Sequence, residues 1–195
     1  MVRSLAVVVA LAGTAHADRA PAPDPVAGRA APMVMPPPPP PLPPPAPVKP
    51  PAEIAALAKQ VAGSYACKGV TFVGNGASTP LAAKLSIKLA LGDAWLEASL
   101  VETGAGGISF DDYRTFDAVS QQWTRLQLAS TTGHVTWTSL GDKSGSWTWE
   151  GTATSPRGTM QVRDYEQVGN RQLTLWGEAL LGGAWQKLYE VTCKR

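Results

Sequence analysis

The sequence predicts an all-β fold: an antiparallel up-and-down meander of about 8–10 strands closed into a barrel, with a short helix at its N-terminal end. Three observations predict it. From residue 63 onward apolar and polar residues alternate with period two, the strand period. Clusters of Gly, Asn and Asp interrupt this pattern roughly every twelve residues, leaving no helix long enough to cross between parallel strands. Both cysteines, Cys67 and Cys193, stand at the two ends of the patterned region.

The chain has 195 residues, and two N-terminal segments stand apart from the barrel. Residues 1–17, MVRSLAVVVALAGTAHA, have Arg3 at the start, an apolar run from Leu5 to Ala12, and Ala15 and Ala17 in A-x-A spacing. That is the pattern of a cleaved signal peptide. The apolar run is well short of the roughly 20 residues that cross a bilayer, so no integral membrane span is expected. Residues 18–52 form the second segment: every proline except Pro80 and Pro156 falls between Ala20 and Pro51, with MPPPPPPLPPPAPVKPP at 35–51. Proline fixes φ and removes backbone donors, so this tract is expected to be extended polyproline II. It reads as a semi-rigid spacer, with docking onto envelope components through an aromatic groove as the alternative. Together these features place the mature protein in the periplasm or outside the cell.

Residues 53–195 form the remaining unit. EIAALAKQVAG sets Ile54, Leu57, Ala58 and Val61 on one helical face. Ten strand segments follow. They are GSYACKGV (63–70), PLAAKLSIKLAL (80–91), AWLEASLVE (94–102), ISFDDYRTF (108–116), QWTRLQLAS (122–130), HVTWTSL (134–140), SWTWEGTA (146–153), GTMQVRDYEQ (158–167), RQLTLWGEAL (171–180) and AWQKLYEVTCKR (184–195). The junctions GNG (74–76), LGD (91–93), GAGG (104–107), TTG (131–133), GDKSG (141–145), VGN (168–170) and LGG (181–183) supply the turns. In this unit thirteen Lys and Arg, scattered as on an ordinary solvated surface, balance thirteen Asp and Glu. A neutral surface without a basic run gives a phosphate backbone little to hold, so nucleic acid is not an expected partner.

Closing a meander with an even number of strands sets the last strand antiparallel to the first. Cys67, near the start of the first, then lies beside Cys193, near the end of the last. A disulfide there would seal the barrel seam, at a Cα separation of about 5.5 Å. Export to an oxidising compartment makes such a bond persistent. Two separate buried thiols are the alternative.

LAKQVAGSYACKG, a helical turn followed by G-x-aromatic at the first strand, resembles the entry of lipocalin-like (calycin) domains. Gly63 and Tyr65 stand in the places of the family's glycine and tryptophan. GDAWLEASLVE, FDDYRTFDAVSQQWTRLQLASTTGH and GSWTWEG resemble uncharacterised bacterial secreted domains of this superfamily. There, a glycine turn, an aromatic–Asp pair before a Trp-containing strand, and a W-x-G strand recur. The resemblance implies a barrel floor closed by Tyr65, with Lys194 or Arg195 available to pack over its ring. It also implies an internal cavity for a small lipophilic ligand.

A barrel of this size either fills with side chains or keeps one small cavity. All seven tryptophans lie in the barrel region. Trp147 and Trp149 share a strand face, and Trp137 is placed opposite them across the GDKSG turn. These three, with Leu85, Ile87, Leu126, Leu128, Val162, Leu173 and Leu175, are the candidate lining of a pocket. Ordinary core packing is the other reading of the aromatics. Trp123, two residues from Arg125, reads as part of a solvent-facing row.

Signs of catalysis are sparse. His134, beside the turn at Gly133, is the one histidine beyond the signal segment, and there is no G-x-S-x-G elbow, phosphate loop or metal-ligand spacing. Asp111 and Asp112 are adjacent strand residues that point to opposite faces, so the pair reads as a bend rather than an acid and base. No metal, no cofactor and no enzymatic activity are expected. The expected function is an exported module binding an apolar or amphipathic small molecule; the alternative is an envelope structural or interaction protein with a filled barrel. The oligomeric state is not legible in the sequence.

Overall fold

The computed structural model describes residues 49–72, 76–103 and 107–195. The expected signal segment, nearly all of the proline-rich tract and most of the GNG and GAGG junctions lie outside the described residues. Helix α1 (Ala52–Val61) follows Pro51 and carries Glu53 in its first turn and Lys59 in its last, charges that suit the helix dipole. Its apolar stripe of Ile54, Leu57, Ala58 and Val61 is buried. It packs near β2, β3 and β4, closing one end of the barrel.

Ten strands follow: β1 (Gly63–Phe72), β2 (Ser78–Ala90), β3 (Trp95–Glu102), β4 (Ser109–Asp117), β5 (Gln122–Ala129), β6 (His134–Ser139), β7 (Ser146–Ser155), β8 (Gly158–Gly169), β9 (Gln172–Leu181) and β10 (Ala184–Lys194). Each strand pairs antiparallel with its sequence neighbour, and β1 pairs with β10, so the barrel is closed. Period-two burial runs along most strands, as in β2, where Ala83, Leu85 and Ile87 are buried between exposed neighbours. Such alternation is what a sheet with one packed and one solvated face requires. The LGG junction turns through Gly182 and Gly183 at φ 60° and 83°, a left-handed pair suited to a tight hairpin.

The seam is where the cysteines were expected. Cys67 and Cys193 are register partners and form a disulfide across β1 and β10. Their Cα atoms are 3.9 Å apart, closer than the expected separation. No helix among the described residues is long and apolar enough to cross a membrane.

Beside the seam the floor is built on Tyr65. Its ring is buried, and its hydroxyl donates to the Val61 carbonyl at 2.7 Å, tying β1 back to α1. Arg195 packs over the ring at 4.9 Å from its centroid and donates to the Tyr65 hydroxyl at 2.6 Å and to the Gln60 carbonyl at 2.8 Å. Of the two candidates for this cation, Arg195 takes the place. Gly63 has φ 145°, and a β-carbon there would meet the Arg195 side chain at 3.2 Å, so glycine leaves room for the lid of the floor.

Candidate functional site

The barrel interior is divided between an aromatic stack, a layer of charge and a cavity. On β4, β5 and β7 the rings form a continuous run: Phe116 lies 5.4 Å from Trp123, Trp123 meets Trp147 edge-on at 5.0 Å, and Trp147 stacks on Trp149 at 5.5 Å. Trp149 is fully buried beneath two guanidiniums, Arg114 at 5.5 Å and Arg125 at 5.6 Å from its ring. Arg125 also covers Trp137 at 5.0 Å. Cation–π contacts of this kind gain strength when desolvated.

Five buried charged side chains, from β4, β5 and β8, form one alternating chain. Glu166 accepts from Arg114 Nη1 at 2.5 Å, and Arg114 Nε donates to Asp112 at 3.0 Å. Asp112 also accepts from Arg125 Nε, and Arg125 Nη1 donates to Asp164 at 2.5 Å. Tyr189 on β10 ends the chain by donating its hydroxyl to the other oxygen of Asp164. Registry explains the assembly, since Arg114 and Arg125 are direct partners across β4 and β5. Two like charges so placed would repel. Asp112, accepting from both, offsets that repulsion.

Protonation follows the same geometry. Burial opposes the charge on both guanidiniums, but Glu166 and Asp112 outweigh it at Arg114, and Asp112 and Asp164 outweigh it at Arg125, so both are held above the ordinary value. At Asp164 burial prevails over the attraction of Arg125, and its carboxyl is raised above the usual range. Burial, then the facing Asp164, pushes Tyr189 well above the ordinary phenol value.

A glycine makes room for the last link. A β-carbon on Gly177 would lie 2.4 Å from the Tyr189 ring and 3.0 Å from Asp164, so only glycine lets the ring reach that carboxyl. Gly151, the register partner of Trp137, plays the same part there: a β-carbon would come within 2.9 Å of the indole.

Against this layer lies a cavity of about 320 Å³. Apolar side chains make up most of its lining, among them Leu85, Ile87, Leu100, Phe110, Leu173 and Leu175, and between them it is bordered by Asp112, Arg114, Arg125, Gln127, Asp164, Glu166 and Tyr189. Trp137 borders it, and the indole N–H groups of Trp137 and Trp149 are buried without a hydrogen-bond partner among the described residues. Such groups are rare in folded proteins.

Of the expected lining residues, Leu85, Ile87, Trp137, Val162, Leu173 and Leu175 border the cavity. Trp147 and Trp149 are buried behind the guanidiniums and do not border it. Leu126 and Leu128 are a correction. Leu126 is only half-buried and Leu128 is exposed, while Trp123, Arg125 and Gln127 take the inner face. Trp123, expected to face solvent, is buried in the aromatic stack. The inner face of β5 is set by the carboxylates awaiting Arg125, and that outweighs the apolar character of two leucines. The Asp111–Asp112 bend is likewise corrected: both residues lie within β4, Asp111 outside and Asp112 at the centre of the charge chain. His134 is exposed at the start of β6. No group of metal-binding side chains occurs among the described residues.

Sequence reasoning missed Asp112, Arg114, Arg125, Asp164, Glu166 and Tyr189 as a site. A signal was present: placing Val162 inside obliges Asp164 and Glu166, two and four residues on, to point inward as well.

No protein-family model matches the chain, and no curated protein matches it. Among solved structures it is similar to the crystal structure of Rv2717c from M. tuberculosis, at a TM-score of 0.60 and 11% identity over 75% of this chain and 99% of that one. The likeness is one of fold, consistent with a lipocalin-like barrel.

Proposed function

We propose that this chain is an exported, non-catalytic, calycin-like module that carries one small amphipathic molecule inside its barrel. The proline-rich residues 18–52 act as its spacer, and residues 1–17 as a cleaved signal. The observation that carries the reading is the cavity of about 320 Å³, lined mostly by apolar side chains and bordered as well by the buried charged chain. A barrel selected only for stability would fill that space, because apolar voids cost free energy in proportion to their volume. The buried ion chain also costs desolvation, which a well-packed apolar interior avoids. Keeping both a void and buried charged groups along it fits a site that orients a ligand with an apolar body and a polar end. The disulfide supports export, since such bonds persist in oxidising compartments.

The test is a titration of the purified protein with the neutral fluorophore N-phenyl-1-naphthylamine. Saturable one-to-one binding with quenching of tryptophan emission is expected, as Trp137 borders the cavity. A titration that never saturates up to the solubility limit leaves the filled-barrel display protein as the better account.

A further inference from the structure

Independently of the cavity, we infer that the floor end of the barrel docks on an anionic phospholipid bilayer. Among the described residues the large aliphatic side chains left exposed are Leu89, Leu91, Val101, Val119, Leu128 and Leu140. Four of these, Leu89, Leu91, Val119 and Leu140, stand at or beside the β2–β3, β4–β5 and β6–β7 turns. Because β1 starts at the end that α1 closes, the antiparallel order brings all three turns to that same end. Adjacent hairpins stand two strand spacings apart, about 10 Å, so the tips form one apolar arc along the rim. Single exposed leucines are ordinary, but a row on consecutive tips marks an interaction surface. Leu91 is 71% exposed, Leu140 76% and Val119 96%. Leu91 also has φ 51°, a left-handed conformation that glycine and asparagine take readily and a bulky side chain does not. It is thus strained without gaining burial, the mark of a residue kept for something outside the fold. Val119 is held firmly at its tip, since Asp117 accepts from the Val119 N–H at 2.9 Å and from the Ser120 hydroxyl at 2.7 Å.

Charge beside this rim selects the partner. Rising from the floor end, the outer face of β10, β1, β2 and β3 forms an open concavity that includes Ser64, Lys84, Ser86, Ser99, Lys194 and Arg195 and has no carboxylate along it. Lysines far apart in sequence meet there: Lys84 and Lys194 are both register partners of Ala66, one from each side. Elsewhere on the outside Lys88 pairs with Glu97, Arg163 with Glu150 and Lys187 with Glu190, whereas Lys84 and Lys194 have no acidic partner among the described residues. Ammonium and hydroxyl donors together suit phosphate oxygens. The turns themselves carry Asp93, Asp117 and Asp142 as well as Lys143, so attraction to head groups comes from the β10–β1–β2 side and the tips contribute burial. An anionic bilayer supplies both, apolar depth for separate protruding tips that need no matching hollow, and phosphate beside them. A second copy would instead bring the same cations to the contact. Docked this way, the opposite end, which the cavity reaches at Thr71, Phe72 and Ile108, faces water.

The experiment is co-sedimentation of the full mature chain, residues 18–195, with vesicles of phosphatidylglycerol and phosphatidylethanolamine, or of phosphatidylcholine alone. Binding to the anionic vesicles is expected, weakening as salt rises, with phosphatidylcholine bound about tenfold less tightly. Leu91→Asn alone should weaken binding severalfold while leaving Tm at or above the native value, because asparagine suits the left-handed turn. Adding Val119→Ser and Leu140→Ser should bring the loss to about a hundredfold. Lys84→Gln and Lys194→Gln should each cost about fivefold on anionic vesicles and little on phosphatidylcholine. Absence of binding to the anionic vesicles overturns the inference, and so does binding that survives the triple substitution with the fold intact. A lipid-free dimer in analytical ultracentrifugation that the triple substitution dissociates also overturns it, because a second copy would then cover the rim. The cavity reading stands or falls separately, by the fluorophore titration.

Discussion

Replacing Arg125 with methionine keeps much of the side-chain volume and removes the charge at the centre of the interior. Arg125 is 4% exposed, so solvent screens little of what is lost. Two ion pairs disappear, to Asp112 and Asp164, and the layer changes from three acids against two bases to three against one. Breaking a buried pair by removing one partner costs about 3–5 kcal/mol, because an uncompensated charge remains in the interior. For a domain of this size that is a fall in Tm of roughly 10 °C. The double variant Arg125→Met, Asp164→Asn leaves two acids against one base, the same excess as the native layer, and its asparagine oxygen still accepts from Tyr189. It should therefore recover part of the loss. Urea unfolding followed by tryptophan fluorescence measures both. A cost below about 1 kcal/mol for the single variant, the level of ordinary surface changes, would refute the reasoning, as would a double variant less stable than the single.

Removing the disulfide by Cys67→Ser with Cys193→Ser frees a loop spanning a sequence separation of 126. Chain entropy then predicts a loss of about 5 kcal/mol, read as a lower urea midpoint than that of the oxidised protein. Tyr65→Ala, which removes the floor ring and leaves Arg195 without its platform, should cost roughly 3–5 kcal/mol in the same assay; under about 1 kcal/mol would show that the floor does not depend on it. Tyr189 is held protonated in the fold, so its contribution is fully present below the ordinary phenol value of 10.0 and is lost as pH rises beyond it, when the unfolded chain ionises first. The stability difference between the native protein and Tyr189→Phe should therefore narrow above pH 10, as measured by urea midpoints across pH; a constant difference would contradict it.

Much of the fold was legible because a barrel writes itself in two local signals, period-two burial and turn residues. The ten expected strands coincide with β1–β10 to within two residues at nearly every end, and the Cys67–Cys193 pair follows from closure alone. The interior was less legible. Parity assigns residues to two faces without saying which is inner, and apolar character was used to decide. That works on β2, where Leu85 and Ile87 share a face opposite Lys84 and Lys88. It fails on β5, where Leu126 and Leu128 lie outside and Arg125 inside. What decides β5 is long-range: Asp164 and Glu166 arrive some forty residues later on β8, and the inner environment they create is visible only once β4, β5 and β8 share one interior. The cavity was illegible for a related reason, since it depends on how Trp149 folds beneath the guanidiniums with Trp147 stacked on it.

Native mass spectrometry of the mature protein, purified from its own host without denaturation, tests the central claim most directly. The account predicts a one-to-one complex with a small molecule, lost on acid denaturation. A bare polypeptide mass in every charge state, from a preparation whose disulfide is intact, would contradict it.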